Sequence, residues 1–163
     1  MAGRGVYFAL SADEADQLQK AQGDVQVRGL IDEKEEAWDR DWLFETDKAW
    51  DALHRTLTDG YLYYENGTYP LNLVVIGGEL LTESDDYLVA VIPTAAMTDI
   101  VNALGDLTEE SFKERYFHID ADSYDSEVSE QDFQYTWSSY QGLPDFFRRA
   151  ASAGRTVIFT VDL

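Results

Sequence analysis

A chain of 163 residues with 45% hydrophobic and 13% aromatic residues is long enough to bury a core and of the usual size for one domain. Its 12 Lys and Arg stand against 32 Asp and Glu, a formal net charge of −20, which disfavours direct grip on nucleic-acid phosphates and attachment to an anionic membrane surface. The absence of cysteine excludes disulfides, thiolate metal sites and a thiol nucleophile.

Residues 1–10 carry one positive charge and about five apolar residues before Ser11, short of the ~7–15 of a secretory leader. The longest apolar stretch, 71–78, falls far below the ~20 residues of a membrane-spanning helix. The expectation is a cytoplasmic protein, in which the glycosylation triplet Asn66-Gly67-Thr68 has no consequence.

Val6 to Leu10 reads as a buried strand, and Ser11-Ala12-Asp13-Glu14 as a capping box that opens a helix to about Gln22. Gly23 breaks it. Val25, Val27, Leu30, Ile31 and Trp38 then fit an exposed amphipathic helix to about Asp39, with Trp42, Leu43 and Phe44 anchoring a connection. Thr46-Asp47-Lys48 predicts the next helix start, with Trp50, Leu53 and Leu57 on one face and a stop at Asp59-Gly60. Asn66-Gly67 between aromatic runs is a hairpin signal, while Pro70 argues against a regular second strand, so a loop excursion is the alternative. Residues 71–76 fit either a strand or a short helix, ended by Gly77-Gly78 in a tight bend, since no phosphate-cradle pattern surrounds the pair.

Tyr87 to Ile92 predicts a strand, Pro93-Thr94 a helix through Leu104, and Thr108 caps another to about Tyr116. Carboxylates at 120, 122, 125, 127, 130 and 132, with no basic residue among them, read as a solvated loop. A helical stripe follows from Phe133 through Trp137, Tyr140, Leu143, Phe146 and Phe147 to Ala150, kinked at Gly142 and Pro144. Gly154 ends it, and Thr156 to Val161 is the closing strand. Strands from both chain ends and the middle are expected to form a small central sheet packed by several helices, in one compact α/β domain of the α+β type over residues 1–163.

The block Asp47-Lys48-Ala49-Trp50-Asp51-Ala52-Leu53-His54-Arg55-Thr56-Leu57-Thr58-Asp59-Gly60 resembles that of the YfbM-like family of small bacterial domains of unknown function. Other blocks agree in order: Arg4 to Leu10, Pro70-Leu71 through Gly77-Gly78, Tyr87 to Pro93, and Phe146 to Ala151 with the closing strand. The resemblance spans nearly the whole chain and implies an α/β domain without an established activity, so it carries over no catalytic residue. Where many relatives carry a tyrosine-proline pair, this chain has the carboxylate run 120–132.

Chemistry can be sought first at His54. At 100° per residue it lies about 40° from Trp50, on the rim of the apolar face, with Asp51 three residues earlier and Thr58 four later. A carboxylate there would orient the imidazole as an acid–base pair. The bland reading is a boundary histidine that satisfies its ring nitrogens locally. Lys48, near the helix start, would hold an anionic group, or else pair with Asp47 and Asp51. Asp120-Ala121-Asp122-Ser123-Tyr124-Asp125 is compared with a calcium loop and fails. Tyr124 holds the fifth position, Asp125 the glycine position and Gln131 the twelfth. His118, with Asp120 nearby, would need His54 to make a two-histidine site. No metal or cofactor is expected.

Two functions remain in view. The favoured one is a non-enzymatic binding protein whose acidic surface, at 32–41 and at Asp120, Asp122, Asp125, Glu127 and Glu130, engages a basic protein partner, of the inhibitor or immunity type. The alternative is an enzyme or small-ligand sensor with a pocket beside the 47–58 helix, where His54 and Asp51 act as acid and base and Lys48, Trp50 and Thr58 hold the ligand.

Overall fold

The computed structural model describes residues 3–163, so the first two residues of the stretch tested for a leader lie outside it. Among the described residues no helix is long and apolar enough to cross a membrane.

Among the described residues five antiparallel strands form one sheet: β1 (Gly5–Leu10), β2 (Leu43–Asp47), β3 (Glu79–Leu80), β4 (Tyr87–Val91) and β5 (Thr156–Asp162), in the order β2-β1-β5-β4-β3. The strands from the two chain ends therefore lie side by side at its centre, with Tyr7 opposite Phe159, and β4 continues from β5. Every residue of β1 is buried, because both faces of the sheet are covered.

Alternation along the strands divides the interior in two. Val6, Phe8, Leu10, Tyr87, Val89 and Ile158 face α1 (Ala12–Lys20) and α2 (Gly23–Ala37) through Leu18, Val27 and Ile31. Tyr7, Ala9, Leu88, Ala90, Val157, Phe159 and Val161 face the larger cluster, built by α3 (Trp50–Leu57), α4 (Met97–Asp106), α5 (Glu109–Tyr116), α6 (Glu130–Tyr140) and α7 (Leu143–Ser152). Tyr7 is the hub of that side: its ring meets those of Phe44, Phe146, Phe147 and Phe159, and its hydroxyl donates to Val74 O at 2.7 Å.

The architecture is the expected α+β domain with both terminal strands in the sheet, but several segments differ. Residues 43–47 are not a connection leading into a helix start; they form the edge strand β2, and the Thr46 hydroxyl donates to Gly5 O at 2.8 Å instead of capping. The next helix begins at Trp50 with no side-chain cap. Residues 61–70 form a loop, not a hairpin, and 71–73 a single short helical turn. The kink at Gly142 is a full break between α6 and α7, where a Cβ would lie 2.7 Å from the Phe44 ring.

Candidate functional site

All eight residues of α3 are buried, although only its apolar face meets the core. Its polar side, carrying Asp51, His54 and Arg55, is roofed by two loops, 61–70 and 120–128. His54 is thus fully enclosed and not on a rim.

Arg55 holds the roof. Its Nε donates to Asp51 Oδ1 at 2.6 Å, Nη1 donates to Gly60 O at 3.2 Å and to Ser123 Oγ at 2.9 Å, and Nη2 donates to Ser123 O at 3.1 Å. The guanidinium also lies 5.4 Å from the centre of the Tyr124 ring. The Asp120 N–H adds a further tie to Gly60 O at 3.0 Å. A planar fork with five donors suits this task, since one side chain reaches a carboxylate, the turn at Gly60 and loop 120–128 at once.

His54 serves the neighbouring loop. Its Nε2 lies 2.9 Å from Tyr63 O and 2.8 Å from Asn66 Oδ1. The Asn66 amide donates to Thr58 Oγ1, Asp59 Oδ1 and Tyr61 O, which fixes its oxygen toward His54. Both partners of Nε2 are therefore acceptors, so Nε2 carries the proton and Nδ1 is left bare. Nδ1 is buried without a partner among the described residues. Burial lowers the His54 pKa, and the bonds to Asn66 and Tyr63 oppose it only in part. Its neutral form holds the loop.

The expected acid–base pair is not assembled. Asp51 is committed to Arg55, and the His54 donor is committed to loop 61–70. The Thr58 hydroxyl donates to His54 O at 2.6 Å and accepts from Asn66, a helix-end role. The Lys48 side chain is exposed, and among the described residues it forms no ion pair; its backbone N–H donates to the Tyr135 hydroxyl, and Asp47 is held by Arg4 and Tyr135. His118 Nδ1 sits 2.7 Å from Glu114 O. No group of three or more His, Asp or Glu suited to a metal occurs among the described residues.

The run 120–132 is less solvated than its composition suggests. Tyr124 and Val128 pack against the core, and Asp132 Oδ2 accepts from the Tyr116 and Tyr124 hydroxyls at 2.6 and 2.7 Å. Glu130 is paired with Lys113 at 2.9 Å, a bond that holds its carboxyl below the ordinary value. Asp122, Asp125 and Glu127 are exposed and Asp120 half-buried. Of the other acidic stretch, the part on α2, residues 32–37, packs on the opposite face of the sheet from this run.

What composition did not single out is the loop beside this run. Tyr61, Tyr63, Tyr64 and Tyr69 are all exposed there, and the first two rings stack at 5.8 Å. Tyr63 and Leu62 share with Asp51, Arg55, Ser123 and Asp125 a cleft of about 230 Å³. On the other side of Leu62 lies a recess of about 160 Å³, lined also by Trp50. The Asp51–Arg55 spacing of four is legible in the sequence as a helical ion pair; its burial under two loops is not.

The fold and its site define a three-layer α+β domain whose polar helix supports two surface loops. The chain belongs to the family described as Domain of unknown function (DUF1877), matched over residues 1–160. A similar solved structure is that of YfbM from Escherichia coli, a protein of unknown function: it is 17% identical, aligns over 97% of this chain and 99% of its own, and has a TM-score of 0.67. That likeness shows the fold, in agreement with the resemblance read from the sequence blocks. No curated protein matches the chain.

Proposed function

We propose that the face formed by loops 61–70 and 120–128 binds a basic protein partner without catalysis. The observation that carries this reading is the pair of buried side chains under the face: Arg55 ties Gly60 to Ser123 of loop 120–128, and His54 holds Tyr63 and Asn66 of loop 61–70, so that exposed tyrosines and carboxylates stand in a preformed arrangement. Preorganisation reduces the ordering cost of binding, and tyrosine supplies large contact area at small conformational cost. Charge supports the choice of partner: no Lys or Arg occurs between Arg55 and Lys113, or between Arg115 and Arg148, the stretches that supply the two loops. Cationic side chains would meet both carboxylates and tyrosine faces there. The alternative, an enzyme or sensor beside α3, is favoured only by the recesses flanking Leu62, and its acid–base pair is not formed.

The test is titration of the purified chain with an alternating Lys-Arg decapeptide at low salt. Binding is expected to weaken roughly tenfold when Asp120, Asp122 and Glu127 are changed to their amides, in line with loss of complementary charge. Neutralising Asp32, Glu33 and Glu36 on the opposite face is expected to leave it nearly unchanged. Equal losses from both sets would mean diffuse attraction to a polyanion and would overturn the proposal.

A further inference from the structure

We infer that the recess beside the tyrosine loop receives an apolar or aromatic side chain of the partner, so that the segment recognised is a hydrophobic residue flanked by Lys or Arg. This rests on the binding face proposed above and specifies its ligand.

The recess, about 160 Å³, is lined by Trp50, Leu62, Tyr64, Ile76, Leu88 and Leu163. Trp50, Ile76 and Leu88 are almost fully buried, whereas Tyr64 and Leu163 are 48% and 37% exposed and stand at the mouth. The Trp50 indole N–H is already donated to Gly3 O at 2.9 Å, so it is not free to reward a polar guest. A charged group entering would lose hydration without compensation. An apolar cavity of ~150 Å³ accommodates a molecule the size of benzene, so a phenyl or isobutyl side chain fits this one.

Position links the recess to the charged face. Leu62 lines both the recess and the cleft that holds Asp51, Arg55, Tyr63, Ser123 and Asp125. A residue seated beside Trp50 therefore directs its chain neighbours across the tyrosine loop toward the carboxylates, where the stretches without Lys or Arg favour basic side chains. A buried apolar anchor within a polar surround is the usual arrangement of an energetic hot spot.

The experiment compares two capped peptides, Phe-Arg-Lys-Arg-Lys and Ala-Arg-Lys-Arg-Lys, titrated into the full chain at low salt. The phenylalanine peptide is expected to bind roughly tenfold tighter, the gain from burying one aromatic side chain. Leu163→Trp, which fills the recess from an exposed position near the mouth, should remove that preference and leave the alanine peptide binding as before. Tyr64→Ala, which takes away one wall, should reduce the preference independently. Equal affinities of the two peptides for the unaltered chain would overturn the recess while leaving the charged face standing. A preference that survives both substitutions would also overturn it, because the phenyl group would then sit elsewhere. If neither peptide binds, the binding face itself fails, and this inference with it.

Discussion

Arg55 and Asp51 meet one turn apart on α3 at 2.6 Å, with side chains only 4% and 7% exposed, and the same guanidinium ties Gly60, where loop 61–70 begins, to Ser123 of the other roofing loop. The pair is therefore a keystone between a helix and its covering, not merely a helical ion pair.

Removing one member should be costly. Arg55→Ala strands a buried carboxylate and unties Gly60 and Ser123 together, and a loss of ~3–5 kcal/mol is expected, as for other broken buried pairs. The double variant Asp51→Leu with Arg55→Met should recover part of that loss, because no charge is left unpaired. Denaturant unfolding of the three chains measures both effects. Even with stability recovered, hydrogen exchange across 61–66 and 120–126 should stay faster in the double variant, since the ties to the loops are still missing.

His54 gives the fold a pH dependence of definite sign. Unfolded, the imidazole titrates near ~6.5; folded, burial lowers its pKa, and the bare Nδ1 has no partner to receive a proton. The unfolded chain thus binds the proton more readily, so this contribution is fully present above about pH 6.5 and declines as pH falls from there toward the folded pKa. The charged groups Asp51 and Arg55 beside the ring act in opposite directions. A His54→Gln chain should show a shallower loss of stability than the unaltered chain between about pH 6.5 and 5. Parallel curves in that window would contradict the assignment of Nδ1 as the buried, unpartnered nitrogen.

Asp132 anchors the acidic run from the other side. Its Oδ2 receives two tyrosine hydroxyls, and its N–H donates to Ser129 Oγ at 3.1 Å, which caps α6. Both phenols are pushed well above their ordinary value by burial first and by this carboxylate second. Asp132→Ala should cost about 3 kcal/mol, close to two charge-assisted hydrogen bonds. Tyr124→Phe should cost less than half as much, because Tyr116 keeps its bond. Thermal unfolding measures the two losses.

Much of this frame is local and therefore legible in sequence. Ser11 and Glu14 form the reciprocal cap that their spacing announces, at 3.3 and 2.9 Å, and Gly154 takes the left-handed turn that ends α7. The apolar and aromatic run of β1 reads as a buried strand, and every residue of it is buried. Thr46 misleads because its hydroxyl has an acceptor across the sheet that no local pattern contains. The roof over α3 is hidden for the same kind of reason: spacing puts His54 on the rim of the apolar face, and residues 66 and 123, which cover it and Arg55, come from outside the helix. The partners of His54, Tyr63 and Asn66, are ones that spacing along one helix cannot supply.

The strand order also governs how the molecule is made. β5, at residues 156–162, lies between β1 and β4 and supplies the pairing edge of each. A growing chain on the ribosome can shape its helices early, but β1 and β4 have no common neighbour until β5 emerges. A chain cut short before residue 156 would lack the centre of its sheet, leaving the paired edges of β1 and β4 open to other strands. Closure of the sheet therefore waits on residues 156–162, whatever local structure has formed before them.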